Sequence, residues 1–215
     1  MSIATRIIDI QKTLPENVTL VAVSKTKPVE DLMEAYNAGQ RIFGENKIQE
    51  MSEKFEEMPK DISWHMIGHV QSNKVKFMAP YVALIHGVDS LKLLQEINKQ
   101  AEKNNRVISV LLQVFIADEE TKFGFDAAEL SEIFSSNVLE KYKSIKIEGL
   151  MGMATFTDNQ EQISQEFTGL KKLYDQYSTS NNLSILSMGM SGDYKEAIAC
   201  GSTMVRIGSS IFGSR

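Results

Sequence analysis

The sequence predicts an α/β fold, a single (β/α)8 barrel with an additional N-terminal helix, and three observations predict it. Eight short β-type runs alternate with longer amphipathic segments along the 215 residues. The first run, Leu20-Val21-Ala22-Val23, is continuously aliphatic, as strands buried on both faces of a parallel sheet are. The turn after it, Ser24-Lys25-Thr26-Lys27, lacks the glycines that an open, doubly wound nucleotide-binding sheet carries there. Eight βα units in a chain this long stand at the short end of the barrel's size range. With no repeat, low-complexity tract or linker, residues 1–215 read as one domain.

The first element is a helix, because residues 1–13 alternate apolar and polar side chains at helical spacing and lack a signal-peptide core. Strands are expected at 19–24, 41–44, 63–67, 83–87, 107–115, 145–151, 184–187 and 204–207. Between them the helical patterns cover 29–38, 47–57, 74–78, 91–104, 127–136, 160–177 and 194–199. Asp89-Ser90 and Asp126 stand where N-caps belong, and Gly39 and Gly201 where left-handed C-terminal residues belong. The 160–177 segment places Ile163, Phe167, Leu170, Leu173 and Tyr174 on one face.

Composition narrows the function. The net charge of −5, without a basic block, argues against nucleic-acid binding. No apolar stretch approaches the roughly 20 residues a membrane helix requires. One cysteine, Cys200, rules out an intramolecular disulfide, and the chain reads as cytoplasmic. Cys200 ends an apolar helix and reads as a small packing residue.

In a barrel the chemistry sits on the loops that follow the strand C-termini. The unusual residues of this chain collect there. Lys25 follows the first strand, Glu45-Asn46 the second, and the third carries His65 and His69 with Gln71-Ser72-Asn73-Lys74 beyond. Strand five leads to Glu120-Thr121-Lys122-Phe123-Gly124. A lysine at a strand exit either snorkels or, where partly desolvated, becomes a nucleophile toward carbonyls.

The loops after strands seven and eight are the customary anion site of this fold. Here they contain Gly189, Ser191, Gly192, Gly208, Ser209 and Ser210, with residues 210–212 offering a short helix start. His65 and His69 are four apart, but the segment is strand-like and no carboxylate completes a zinc pattern, so no metal is expected. His86 reads as packing or lining. Glu45 reads either as a general base or as a charge preceding a helix N-terminus. A phosphate cradle plus a nucleophilic lysine implies a sugar phosphate held as a Schiff base, or pyridoxal 5'-phosphate (PLP). Arg206, beside the phosphate loop, suits the far edge of a pyridine ring and favours PLP.

These residues resemble a known family. Val21-Ala22-Val23-Ser24-Lys25, Phe43-Gly44-Glu45-Asn46, the run from Trp64 to Lys74, Gly149-Leu150-Met151, Ser187 to Asp193 and Arg206 to Gly213 are similar to motifs of the pyridoxal phosphate homeostasis proteins. These are single-domain relatives of the alanine racemase barrel, the type III PLP fold. The resemblance implies that Lys25 carries PLP as an aldimine, that Asn46 lies near the ring, and that Ser191, Gly208 and Ser209 hold the phosphate. It implies that Arg206 faces the pyridine nitrogen and leaves it unprotonated. Phe115 and Thr121 stand where relatives often have Asn and Ser, so the strand-five loop and Lys122 receive no role.

Alanine racemases place a second base on a β-rich domain, and the sequence after Arg206 resembles no such domain. The expectation is therefore a PLP carrier that buffers the cofactor and supplies it to apoenzymes by transient contact. The alternative is a PLP-dependent, racemase-like enzyme of unidentified substrate. The family leans to a monomer.

Overall fold

The computed structural model describes residues 1–117 and 123–213. Helix α1 (Ile3–Thr13) begins at Ser2, whose side chain accepts a bond from the Thr5 amide. Its buried residues are Ile3 and Ile7, and the helix packs against the helices at Val29–Asn37 and Ser209–Phe212. Burying a side chain such as Ile7 contributes about 1.5–3 kcal/mol.

Among the described residues eight strands follow: β1 (Thr19–Val23), β2 (Ile42–Glu45), β3 (Ser63–Met66), β4 (Leu84–Val88), β5 (Ile108–Gln113), β6 (Ile145–Met151), β7 (Ile185–Ser187) and β8 (Met204–Ile207). All neighbours pair in parallel and β8 returns to β1, pairing Val21 with Arg206 and Ala22 with Ile207, so the sheet closes. The helices are α2 (Val29–Asn37), α3 (Ile48–Glu57), α4 (Val75–Met78), α5 (Leu91–Lys103), α6 (Ala127–Ser135), α7 (Gln160–Asn181), α8 (Tyr194–Ala199) and α9 (Ser209–Phe212). Ser90 caps α5 and Asp126 caps α6 with a reciprocal Glu129 bond, as their positions imply. Gly39 and Gly201 both adopt positive φ, at 99° and 95°.

Five stretches differ from the sequence expectation. A 3-10 turn, Ser72–Lys74, precedes α4, and another spans Asn137–Lys141. Helix α7 runs on to Asn181, because Asn182 at φ 53° closes it and Tyr174 Oη donates to the Leu183 carbonyl. Strand β5 stops at Gln113, since Phe125 N–H turns back to the Gln113 carbonyl and occupies the edge. Helix α9 begins at Ser209, one residue early.

The core has two shells. The larger packs the outer faces of the strands against the helices, around Phe43, Trp64, Ile85, Leu94 and Phe167. A separate lumen cluster of Val21, Leu84, Leu111, Met151 and Met204 plugs the barrel. Alternation along a strand puts residues two apart on one face. Leu84 therefore shares its face with His86, Ile185 with Ser187, and Met204 with Arg206, which lifts three polar side chains above the plug toward the C-terminal rim.

Candidate functional site

Lys25 sits half-buried in the turn that leaves β1, between buried Ser24 and exposed Thr26. The Lys27 amide closes that turn on the Ser24 carbonyl at 3.1 Å, and Thr26 takes a left-handed φ of 64°. Lys27 Nζ donates to the Phe212 carbonyl at 3.1 Å, tying the loop to the end of α9. The rim is shared with the β8 exit. A Cβ at Gly208 would stand 3.1 Å from the Val23 carbonyl oxygen, two residues before Lys25. A larger residue there would meet the β1 backbone.

The cradle opposite is built from the β7 and β8 loops. The Gly208 amide donates to Ser191 Oγ at 3.1 Å, and the Arg206 amide to the Gly189 carbonyl at 3.0 Å. Asp193 Oδ1 accepts from the Met190 amide at 2.5 Å and fixes that loop. Ser209 is exposed at the start of α9. Asn46 is half-buried just beyond β2, and its backbone carbonyl lies where a Cβ on Gly68 would fall. Lys25, Asn46, Ser191, Arg206, Gly208 and Ser209 thus all stand at strand ends or loops of the C-terminal rim. Glu120, Thr121 and Lys122 lie outside the described residues.

Arg206 is 4% exposed and heads a polar chain across the lumen. Its Nη1 donates to Ser187 Oγ at 2.6 Å and its Nη2 to the Gly152 carbonyl at 3.1 Å. Ser187 Oγ, which accepts from the guanidinium, also hydrogen-bonds His86 Nδ1 at 3.1 Å. His86 Nε2 in turn hydrogen-bonds His65 Nδ1 at 3.0 Å. His65 Nε2 faces Ser63 Oγ at 3.4 Å.

Burial keeps both rings neutral. It lowers His65 to about 3 and holds His86 well below 6.5, where His65 and then Arg206 add to the effect. Burial also lowers Arg206 to about 10, opposed by Asp193, so the guanidinium keeps its proton at neutral pH. No carboxylate hydrogen-bonds this buried cation among the described residues. Such a group calls for an acceptor at the mouth.

Sequence reasoning missed this chain. His86 reads as packing or lining, and it does line the lumen, but as the link between His65 and the Ser187–Arg206 pair. His65 and His69 do not share a face: His65 lies in the lumen, whereas His69 pairs at 3.1 Å with Asp89 and lies tilted against the Phe123 ring. Neither reading of Glu45 as a base or a helix-start charge holds. It is fully buried and bonded to Ser24 Oγ at 2.6 Å and Lys54 Nζ at 2.8 Å. Burial pushes its carboxyl above the usual range against the pull of Lys54. Only the closure of β1 against β2 and α3 brings those three residues together.

The described residues suit a group with an aldehyde, a ring acceptor and a phosphate. An amine lies on one loop, a guanidinium without a carboxylate in the lumen, and hydroxyl and amide donors on two adjacent loops. No set of three His, Cys, Asp or Glu that could hold a metal occurs among them.

The family model for the alanine racemase N-terminal domain matches residues 2–215. The chain is 41% identical to a pyridoxal phosphate homeostasis protein of Aquifex aeolicus over 199 residues, 91% of this chain and 86% of that one. The structure of PipY from Synechococcus elongatus with PLP bound superimposes with a TM-score of 0.88 at 33% identity, covering 99% of this chain and 100% of PipY. Alanine racemase of Clostridium difficile shares the fold at 16% identity with a TM-score of 0.80, and this chain spans 57% of its length. The chain belongs to the pyridoxal phosphate homeostasis protein family, within the alanine racemase N-terminal domain family.

Proposed function

We propose that this protein binds PLP at the C-terminal rim and takes part in its intracellular homeostasis, carrying the cofactor on Lys25 and supplying it to apoenzymes. The observation that carries the reading is the convergence on one rim of Lys25, the Ser191–Gly208 cradle and the carboxylate-free Arg206. When bound, PLP supplies an aldehyde that condenses reversibly with an amine, losing water.

Lys25 Nζ provides that amine from a loop anchored on both sides. The Ser191 and Ser209 hydroxyls and the Ser209 amide offer donors to the phosphate, with the Gly208 amide holding Ser191 in place. Arg206, which keeps its own proton, would donate to the pyridine nitrogen and leave it an acceptor, and Asn46 would border the ring. The family's full-length relatives are named for homeostasis, which supports a carrying role over efficient turnover. Residues 1–215 act as one domain and as a monomer in the cytoplasm, in transient contact with recipient apoenzymes. Among the described residues no helix is long and apolar enough to cross a membrane.

The test is a visible spectrum of the PLP-loaded protein beside Lys25→Ala. A band present in the first and absent in the second is expected. A protein that takes up no PLP overturns the reading, and rapid racemisation of an amino acid, lost in Lys25→Ala, replaces the carrier by an enzyme.

A further inference from the structure

A second charged cluster lies behind the Lys25 loop, on the helix side of the sheet. Lys54, on α3, has a side chain only 7% exposed and ends among three oxygens. Its Nζ donates to the Ser24 carbonyl at 2.8 Å, to Glu45 Oε1 at 2.8 Å and to Glu50 Oε1 at 2.7 Å. An ammonium has three donors and no acceptor, so three acceptors saturate it.

The same acceptors reach the residues on either side of Lys25. Glu45 Oε1 also takes the Ser24 hydroxyl at 2.6 Å, and Glu50 Oε1 also takes the Thr26 amide at 2.5 Å. Thr26 is β-branched and held at φ 64°, a conformation that persists only where its surroundings impose it.

Stability alone does not account for this cluster. Buried ion pairs are seldom better for stability than apolar side chains of the same volume. The cluster also leaves Glu45 Oε2 buried without a hydrogen-bond partner. What it gains is geometry: one ammonium and two carboxylates clamp Ser24 and Thr26 and leave Lys25 as the fixed point between them.

We infer that Lys54, with Glu45 and Glu50, is the positioning device for Lys25, holding the amine in register with the phosphate cradle. This rests on the reading that Lys25 carries PLP. Lys54 acts through the Lys25 loop and not on the cofactor. Arginine is not a substitute, because its planar fork does not fit three acceptors gathered round one nitrogen.

The experiment compares wild type, Lys54→Met, Lys54→Arg, Glu50→Ala and a mildly destabilised control away from the mouth, Ile97→Val on α5. PLP release is followed by the loss of the visible band. Amide hydrogen exchange at Lys25 and Thr26 is measured in the cofactor-free proteins. Both Lys54 variants and Glu50→Ala should release PLP on the order of tenfold faster and exchange the two amides faster by a similar factor, as loss of a charge-assisted bond implies. Ile97→Val should change neither. Glu50 is 22% exposed in its side chain, so its variant remains informative if Lys54→Met does not fold.

Wild-type release and exchange in Lys54→Arg and Glu50→Ala overturn the inference while leaving PLP binding intact. So does an equal acceleration in Ile97→Val, which reduces the cluster to general support. A wild type without a band overturns the binding reading instead, and the amide-exchange arm still judges the clamp.

Discussion

Arg206 Nη1 donates to the hydroxyl of Ser187 at 2.6 Å, and that bond ties the cation to the lumen histidines behind it. Ser187 Oγ also bonds His86 Nδ1, and His86 Nε2 bonds His65 Nδ1, two rings that burial keeps neutral. The rim thus receives a cation whose orientation is held from below by neutral groups. A carboxylate in that place would compete with a ligand for the guanidinium.

Ser187→Ala removes the junction of this chain. It leaves a guanidinium N–H and His86 Nδ1 without their partner in the interior. The expected loss is about 1–3 kcal/mol of stability, the usual cost of stranding buried polar groups. Urea denaturation of the cofactor-free protein measures it. A loss under roughly 0.5 kcal/mol, the size of an ordinary surface change, would mean that the chain is slack.

The lumen histidines make stability depend on pH. His65 falls from 6.5 to about 3 on folding, and His86 falls in the same direction. The unfolded chain then binds more protons than the folded one between about 3 and 6.5, so stability is complete above that window and drops as pH falls through it. Glu45 is shifted upward and works oppositely just above 4.5, favouring the fold as pH falls. Urea midpoints at pH 7.5 and 5.5 should differ, with the lower value at pH 5.5. His65→Gln should flatten the difference, and an unchanged slope in that variant would assign the titration elsewhere.

The double variant Ser191→Ala, Ser209→Ala should bind PLP more weakly, by about 1–3 kcal/mol if each hydroxyl contributes one bond to the phosphate. Fluorescence or absorbance titration gives the dissociation constant. Ser191 also accepts from the Gly208 amide, so part of the loss should persist in Ser191→Ala alone. Unchanged affinity in the double variant would put the anion site elsewhere on the rim.

Gly68→Ala tests the close approach beneath Asn46. The added methyl would collide with the Asn46 backbone, not with a side chain that can swing away. Overpacking of this kind costs about 1–3 kcal/mol. Thermal unfolding and PLP affinity should both fall, and a variant matching wild type in both would show that the β2 loop yields freely.

The architecture was largely legible because a barrel repeats one local rule eight times. Aliphatic strands, amphipathic helices, the Asp126 cap and the glycines after α2 and α8 each declare themselves within a few residues. Lys25, Asn46 and the 189–192 and 208–210 loops were legible for the same reason, since rim residues are those that follow a strand. The strand-five loop was not, and the 3-10 turn at 137–141 carries no strong period.

The amino-acid order by itself determined which side chains would meet at the rim, because strand periodicity and parallel closure leave one end for the loops. The partnerships beneath that rim were decided only by the folded molecule. His65 to His86 to Ser187 to Arg206 joins four strands, and Ser24 to Glu45 to Lys54 joins two strands and a helix. Such pairs are separated by as many as 101 residues, and no local pattern encodes a hydrogen bond whose geometry exists only after the cylinder closes.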